Sequence, residues 1–465
     1  MARSSSGAST ASLPAGTSTA IREIDVPASV LRRLAARFPE RYPVLFDSAA
    51  DGPLSRTSIL VAEPRAALWL DPDGKVGAEG FAPRGDDFLV ALENWWLSER
   101  LPAPVAQTFP FVGGWAVFLS YEAAQEVEPQ LRLPRSSMPW KAFALRVPCA
   151  LIHERTTGKV FAVAEAAAAA SLDRLEADAR SAVIDKPETP LRVEFVREED
   201  PAAYLERVLR AKEYVRAGDI YQANLSRPWR VELTHEPDIG ALYNRLCKAN
   251  PAPFAALAQW RGTTILSSSP ERLVRINDGH IDTRPIAGTR PRKGDDLREM
   301  RELAAHPKER AEHIMLIDLE RNDLGRVSQP GTVKVDELMT IESYTHVHHI
   351  VSNVSGELRS DVTPVGALKA VFPGGTITGV PKFRCMQIIA ELEGVGRGAY
   401  TGSLGFLGRD GSMDMNILIR TLSAQGRCIE LRAGGGIVAD SDPQRELEET
   451  RAKARGMLAA FAGHL

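Results

Sequence analysis

Along the 465 residues of the chain, segments in which apolar residues have helical spacing alternate with short apolar runs that are typical of strands. Helical spacing of apolar residues predicts helices over 30–38, 87–101, 165–183, 201–217, 299–319, 364–371 and 382–391. Short apolar runs between turn residues predict strands over 42–46, 57–62, 143–153, 159–164, 220–229, 264–274, 281–285 and 347–358. Three further strands, over 399–407, 412–424 and 427–433, follow one another across glycine turns, and this order predicts an antiparallel sheet.

Two helix ends carry the residue types that such positions favour. Gly218 follows the helix over 201–217, and glycine is common where a helix terminates. Ser441 or Asp442 is expected to cap a last helix, with Pro443 at its first position.

The segment 185–190 is the best candidate for a linker because it combines charges with two prolines. It separates an N-terminal region over 21–185 from a larger region over 186–465. Residues 1–20 are mostly Ser, Ala, Thr and Gly, which predicts a disordered tail. A transit peptide is the alternative, because the tail is rich in serine and free of acidic residues.

Composition excludes several classes of protein. The formal net charge of −3 argues against a nucleic-acid-binding protein, which would be basic. Because the overall charge does not attract anions, local positive groups must hold any acidic substrate. No apolar run reaches the length of a membrane span, and the N-terminus lacks the apolar region of a signal peptide. The cysteines are far apart without CxxC spacing, which argues against a zinc site or a disulfide framework and favours a reducing cytoplasm. They are Cys149, Cys247, Cys385 and Cys428.

A glycine run followed by acidic residues lies in the segment 431–450. The run consists of Gly434, Gly435 and Gly436, and it lets backbone N–H groups approach an anion. Glu446 and Glu449 are three residues apart on the following helix and so share one face. Paired carboxylates suit Mg²⁺, which prefers oxygen ligands. The alternative is a plain turn before a solvated acidic helix.

Glu309 and Glu312 repeat the same spacing on the helix over 299–319. Two such pairs on separate helices can face each other across a Mg²⁺ ion. A charged face exposed to solvent is the alternative for each pair taken alone.

The segment 372–382 joins two predicted helices and contains three glycines. Thr376 offers a hydroxyl and Lys382 an ammonium group, so the segment can form a carboxylate or phosphate pocket. The order of a P-loop is absent, and a plain loop is equally compatible with these residues.

Three further residues are candidates for a catalytic or binding role. His349 follows His346 and His348 at a strand entrance, and it is either an orienting or acid–base group or a core histidine. A zinc pair lacks a third ligand at a usual spacing. Glu271 and Arg420 would be costly to bury unpaired. They form structural ion pairs or face a substrate, Glu271 as a general acid and Arg420 as a carboxylate clamp.

Nine stretches occur in an order that resembles the chorismate-utilising enzymes, a family that includes anthranilate, aminodeoxychorismate, isochorismate and salicylate synthases. The stretches are PERL, RPIAGTRPR, KERAEH, DLERNDLGRV, HVHHIVSNV, FPGGTITGVPK, YTGSLGF, ILIRT and AGGGIVADS. The resemblance is specific from about residue 201 to 461 and weaker before that. It implies an α+β fold like that of anthranilate synthase component I, with large antiparallel sheets flanked by helices around a buried site. It also makes 186–465 the chorismate-binding catalytic domain.

The resemblance assigns roles to the candidate residues. Glu312 and Glu449 would be the main Mg²⁺ ligands, with Glu309 and Glu446 in support. Glu271 would protonate the C4 hydroxyl of chorismate as it leaves, and His349 would lie beside the ring. The substrate carboxylates would be held by Arg420, Tyr400, Thr376, Lys382 and the amides of Gly434, Gly435 and Gly436.

Two positions bear on which reaction the family resemblance implies. Gln222 stands where enzymes that add water resemble one another in having lysine, and a neutral amide cannot act as that base, so ammonia is the expected nucleophile. Ala287, in PIAGT, stands where aminodeoxychorismate synthases look like PIKGT, and alanine offers no covalent nucleophile. The alanine is like that of anthranilate synthases.

Four other stretches resemble the aminodeoxychorismate synthases instead. They are 55–64, 250–254, His348-His349 and 378–382. The sequence therefore favours aminodeoxychorismate synthase component I, which aminates chorismate at C4 on the route to 4-aminobenzoate and folate. The alternative is anthranilate synthase component I. A non-catalytic metabolite-binding relative is a further alternative, because 45–48 loosely resembles a tryptophan-sensing stretch.

The chain contains no glutaminase motif, that is, no nucleophile elbow with a downstream histidine. The resemblance therefore implies a separate glutamine amidotransferase subunit that supplies ammonia.

Overall fold

A computed structural model describes residues 19–462 except 51, 53, 102–107, 185–189, 292–299, 301–306 and 344–346. The described residues form ten α-helices: α1 (Ser29–Arg37), α2 (Phe88–Glu99), α3 (Ala124–Val127), α4 (Ser171–Ser181), α5 (Pro201–Ala217), α6 (Ile239–Ala249), α7 (Pro307–Gly325), α8 (Pro364–Val371), α9 (Lys382–Glu393) and α10 (Pro443–Leu458).

The strands of the first half of the chain are β1 (Thr19–Ile24), β2 (Val44–Asp47), β3 (Thr57–Ala62), β4 (Ala66–Leu70), β5 (Val76–Glu79), β6 (Gly114–Leu119), β7 (Ala142–Val147), β8 (Cys149–Glu154), β9 (Lys159–Glu165), β10 (Val193–Glu198) and β11 (Gln222–Leu233). Those of the second half are β12 (Phe254–Trp260), β13 (Thr263–Ser269), β14 (Arg272–Asn277), β15 (His280–Arg284), β16 (Ile286–Pro291), β17 (Lys334–Ser343), β18 (Val347–Glu357), β19 (Gly379–Val380), β20 (Ser403–Gly408), β21 (Met413–Asn416), β22 (Thr421–Gln425) and β23 (Cys428–Ile437).

These strands form two antiparallel sheets. The 12-stranded sheet has the order β1-β9-β8-β3-β2-β12-β13-β22-β23-β11-β10, with β19 also paired to β11. The 11-stranded sheet has the order β16-β18-β15-β14-β21-β20-β6-β7-β4-β5, with β17 also paired to β18. Strands from before and after the predicted linker pair directly in both sheets, β2 with β12 and β6 with β20. The two predicted regions therefore share their sheets.

The sheets pack face to face, and helices cover their outer faces. Val61 and Ile265 of the larger sheet share one apolar cluster with Phe118 and Phe406 of the smaller sheet. The outer face of the larger sheet packs against α1, α4, α6 and α10, and that of the smaller sheet against α2, α7 and α8. Burial of apolar area between these layers is the main favourable term in folding.

Several local predictions are confirmed. Helix α5 ends at Gly218, whose φ of 82° is left-handed. Asp442 caps α10 by accepting a hydrogen bond of 2.9 Å from the Arg445 N–H, and Pro443 is the first helical residue. Helix α4 begins later than predicted, at Ser171. The helix predicted over 299–319 is described from Pro307 and continues to Gly325.

Three predicted strands are each divided between the two sheets. The strand over 143–153 breaks at Pro148, the strand over 264–274 at Pro270, and the strand over 412–424 at residues 417–420. Both sheets contribute to one shared core, so buried apolar residues continue across each break and the sequence pattern does not reveal it.

Residues 185–189 of the predicted linker and residues 1–18 of the predicted tail lie outside the described residues. The tail was predicted to reach residue 20, but Thr19 and Ala20 already pair with β9 as the start of β1. No helix in the part of the chain that the structure describes is long and apolar enough to cross a membrane.

Candidate active site

Two of the strand breaks lie side by side and carry Glu271 and Arg420. Glu271 stands between β13 and β14, and Arg420 between β21 and β22, where its φ of 53° turns the chain sharply. The breaks are joined by hydrogen bonds of 3.0 Å from Ile417 N–H to Glu271 O and 3.1 Å from Ser268 N–H to Arg420 O. Because β13 pairs with β22 and β14 with β21, the two charged residues are brought to the same crossing between the sheets.

The Glu271 carboxyl group is 4% exposed, and its Oε1 atom has no hydrogen-bond partner among the described residues. Burial raises the pKa of Glu271 to about 7, although the Thr376 hydroxyl, the Ile286 N–H and the Arg420 guanidinium each offset part of that rise. A carboxyl group with this pKa carries a proton in a large share of the molecules at neutral pH, so it can act as a general acid.

Arg420 keeps its charge without a paired carboxylate. Burial lowers the pKa of its guanidinium, and the nearby Tyr400, Glu449 and Glu271 offset this in part. Its side chain makes no hydrogen bond or ion pair with a described residue. An arginine is charged at any pH that proteins experience, so this guanidinium is available to a carboxylate ligand.

The glycines of β23 bring the predicted metal-binding carboxylates together. A methyl group on Gly435 would lie 3.4 Å from Glu446 Oε2 and 3.6 Å from Glu449 Oε1. A methyl group on Gly436 would lie 3.2 Å from Glu312 Oε1. Helix α10 therefore directs two carboxylates to Gly435 and helix α7 directs one to the adjacent Gly436, where a side chain would overlap the Gln222 amide.

This arrangement fits a Mg²⁺ ion held partly by substrate and water. Among the described residues, no group of three or more His, Cys, Asp or Glu side chains is arranged to hold a metal. Mg²⁺ commonly takes one or two protein carboxylates and completes its shell with water and substrate oxygens. Glu312 and Glu449 suffice for that, while the side chain of Glu309 lies outside what the structure describes.

Lys453 also belongs to this cluster, and the sequence reasoning missed it. Its Nζ atom lies 2.6 Å from Glu449 Oε1 and donates a 2.8 Å hydrogen bond to Gly434 O. The spacing of four residues after Glu449 is favourable for an ion pair on a helix and would have identified it.

His349 is a neutral buried residue beside this crossing. It is 6% exposed, and burial, with the nearby Arg420 charge, lowers its pKa to about 4. The adjacent His348 is fully buried, and its Nδ1 atom is 2.7 Å from Ser343 Oγ. His346 lies outside the described residues. A neutral imidazole can orient a polar group without adding charge to the site.

The remaining predicted ligands separate into two groups. Tyr400 is buried beside the glycine run, since a methyl group on Gly434 would lie 2.9 Å from its hydroxyl oxygen. Thr376 lies next to Glu271. Lys382 instead forms a 2.5 Å ion pair with Asp323 and donates to Val371 O at 3.1 Å. Binding a substrate carboxylate would require Lys382 to leave that pair.

A buried charged network behind Tyr400 was also missed. Glu393 Oε1 lies 2.6 Å from Arg397 Nη2, and Glu393 Oε2 lies 2.8 Å from Arg432 Nη2. Glu393 also accepts a 2.8 Å hydrogen bond from the Ser226 N–H, which ties α9 to β11 and β23. The network holds the glycine-rich strand and the Tyr400 segment in register. In the sequence, only the spacing of four residues between Glu393 and Arg397 indicates this network, because that spacing favours an ion pair on a helix.

Comparison with known proteins identifies the family. Residues 28–459 match the model of chorismate binding enzymes. An anthranilate synthase component I-like protein of Synechocystis sp. is 42% identical over 435 residues, which cover 90% of this chain and 85% of the relative. Anthranilate synthase component 1 of Thermus thermophilus is 38% identical over 459 residues, covering 95% and 96% of the two chains.

A solved structure shows the same architecture. Anthranilate synthase component I from Streptococcus pneumoniae superposes with a TM-score of 0.77 at 30% identity, covering 88% of this chain and 93% of that one. The fold that the sequence resemblance implied is thereby confirmed. The chain belongs to the chorismate binding enzyme family.

Proposed function

We propose that this chain is the ammonia-using component of an anthranilate synthase, which aminates chorismate at C2 and releases pyruvate. The observation that carries the proposal is that the Arg420 guanidinium interacts electrostatically with both Glu271 and Glu449, which joins the proton donor to the carboxylates beside Gly435 and Gly436. A proton donor, a free guanidinium and a hard-cation site together match a dicarboxylate that must lose a hydroxyl group.

Different residues of the site contact the two carboxylates and the C4 hydroxyl of chorismate. Arg420, with Tyr400 and the amides near Gly435, binds the enolpyruvyl carboxylate. Glu312 and Glu449 would hold Mg²⁺, with support from Glu309 and Glu446. When bound, the ion would neutralise the charge of the ring carboxylate. Protonated Glu271 donates to the C4 hydroxyl oxygen as the C4–O bond breaks, while neutral His349 lies beside the ring.

The identity of two residues favours ammonia at C2. Gln222 cannot deprotonate water, whereas ammonia is already nucleophilic. Ala287 offers no amine for a covalent adduct at C2, and it leaves that position to the incoming nucleophile. The relatives named anthranilate synthase support this product over 4-amino-4-deoxychorismate, which the sequence alone favoured.

Formation of 4-amino-4-deoxychorismate is the second candidate. The stretch 250–254 and the pair His348-His349 resemble that branch of the family. Without a lysine at position 287, this product would require direct attack of ammonia at C4 or a different nucleophile at C2.

Ammonia is expected from a separate glutamine amidotransferase subunit, because the chain has no glutaminase motif. Ammonium salt at high concentration is expected to substitute for that partner.

A product assay tests the proposal. The purified chain is mixed with chorismate, Mg²⁺ and excess ammonium, and the products are separated by mass. Anthranilate with an equal amount of pyruvate supports the proposal. A product that retains the enolpyruvyl group and carries an amine in place of the hydroxyl supports the second candidate. If chorismate is not consumed with Mg²⁺ and ammonium present, both candidates fail.

A further inference from the structure

The face of β11 that points to the site carries two buried side-chain amides, those of Gln222 and Asn224. Residues two apart on a strand share a face, and Ala223 between them packs into the apolar cluster behind the strand. Gln222 is 3% exposed and Asn224 is 9% exposed. Each amide has an oxygen atom with no hydrogen-bond partner among the described residues.

The orientation of both amides follows from their nitrogen atoms. Asn224 Nδ2 donates a 3.3 Å hydrogen bond to the Thr376 carbonyl oxygen. Gln222 Nε2 donates a 3.3 Å hydrogen bond to Glu312 Oε1. A carbonyl or carboxylate oxygen can only accept, so neither amide can be turned over. The two unpartnered atoms are therefore acceptors, and a buried acceptor without a donor is destabilising until a ligand supplies one.

The two acceptors lie at different ends of the site. Gln222 is tied to the metal-binding carboxylate Glu312, whereas Asn224 is tied to Thr376, whose hydroxyl lies next to Glu271. The backbone of Asn224 is held on both sides, since its N–H donates to Thr378 O at 2.8 Å and its carbonyl accepts from Arg397 Nη2 at 2.6 Å. The Asn224 oxygen is thus a rigid acceptor near the proton donor.

Chorismate offers one partner for such an acceptor. With both carboxylates ionised, its C4 hydroxyl is its single O–H or N–H group, because the ring carbons and the enol ether carry no polar hydrogen. We propose that Asn224 Oδ1 accepts the hydrogen of the C4 hydroxyl and that Asn224 is a substrate-contacting residue. Accepting that hydrogen turns a lone pair of the hydroxyl oxygen toward Glu271, which donates the proton that lets the hydroxyl leave. This inference rests on the proposed function, because it takes chorismate as the ligand.

The test compares chorismate with its 4-deoxy analogue, which lacks the hydroxyl group. Dissociation constants are measured by calorimetry with Mg²⁺ and without ammonium, for the wild type, Asn224→Leu and Gln222→Met. Leucine and methionine retain the side-chain volume without the acceptor. The wild type is expected to bind chorismate about 10-fold to 100-fold more tightly than the analogue. Asn224→Leu is expected to bind the two ligands with equal affinity, whereas Gln222→Met retains the preference.

The outcomes separate this inference from the proposed function. If the wild type binds neither ligand, the proposed function fails. If it binds both equally, or if Asn224→Leu keeps the wild-type preference, chorismate remains the ligand and the assignment to Asn224 is wrong. A melting curve for each variant establishes that it is folded, and Asn224→Val provides a second variant without the acceptor if Asn224→Leu does not fold. Loss of the preference for chorismate in Asn224→Val supports the assignment, and retention of the wild-type preference overturns it.

Discussion

Replacing Glu271 with glutamine should stabilise the folded protein at alkaline pH while it removes the proposed proton donor. The pKa of Glu271 is about 7 in the fold, against an ordinary value of 4.5. The unfolded chain therefore releases this proton first as the pH rises, and the folded state loses stability between these two values. The loss is about 3 kcal/mol at pH 8 and less than about 1 kcal/mol at pH 5, because each pH unit between the two pKa values corresponds to about 1.4 kcal/mol.

Glutamine has the shape of the protonated acid and no charge to desolvate. The stability of Glu271→Gln relative to wild type should therefore increase by about 2–3 kcal/mol between pH 5 and pH 8. For a chain of this length, that corresponds to a melting temperature about 2–3 °C higher relative to wild type. Turnover of chorismate should be lost at both pH values, since the amide cannot donate a proton to the leaving hydroxyl.

The measurement is a set of melting curves for both proteins from pH 5 to pH 8.5 in one ionic strength. Glu40→Gln provides the control, because Glu40 is exposed and its replacement should change the melting temperature equally at all pH values. A difference between Glu271→Gln and wild type that does not grow with pH would refute the reasoning. It would mean that the carboxylate is solvated or paired in the folded protein.

Three other perturbations test the site. Glu312→Gln and Glu449→Gln should each weaken Mg²⁺ binding at least 10-fold with little change in melting temperature, as followed by calorimetry, and unchanged binding would reject the metal assignment. Gly436→Ala should displace the Gln222 amide, which the new methyl group would overlap, and lower ammonium-dependent turnover at least 10-fold; normal turnover would mean that the amide has no role in the reaction. The pKa of His349 is about 4 in the fold and 6.5 ordinarily, so the folded state should lose stability as the pH falls from about 6.5 to 4. Melting curves of His349→Gln should lack this part of the loss, and equal pH dependence in the two proteins would contradict the buried neutral state.

Local structure was predictable because it depends on neighbouring residues. The end of α5 at Gly218 and the cap of α10 at Asp442 follow from the backbone preference of glycine and from a side chain that reaches its own helix. The candidate residues were predictable as residue types, since an acid or an arginine that is buried requires a partner or a ligand. The family resemblance supplied the fold, which periodicity could not.

Contacts between distant segments were not predictable from these patterns. Lys382 was expected to hold a substrate carboxylate, yet the fold places Asp323 beside it. Asn224 drew no attention as a polar residue in a strand, because its importance depends on which oxygen atom remains without a donor after packing.

The sequence by itself determined the helix boundaries at their caps, the alternation of the strands and the set of residues capable of acid–base, metal and anion chemistry. The tertiary structure alone decided where the strands leave one sheet for the other. Those breaks place Glu271 beside Arg420 and, with α7 and α10, gather Glu312, Glu446 and Glu449 at the glycines of β23. The physical reason is that both sheets bury the same shared core, so the pattern of apolar residues is the same on either side of each crossing.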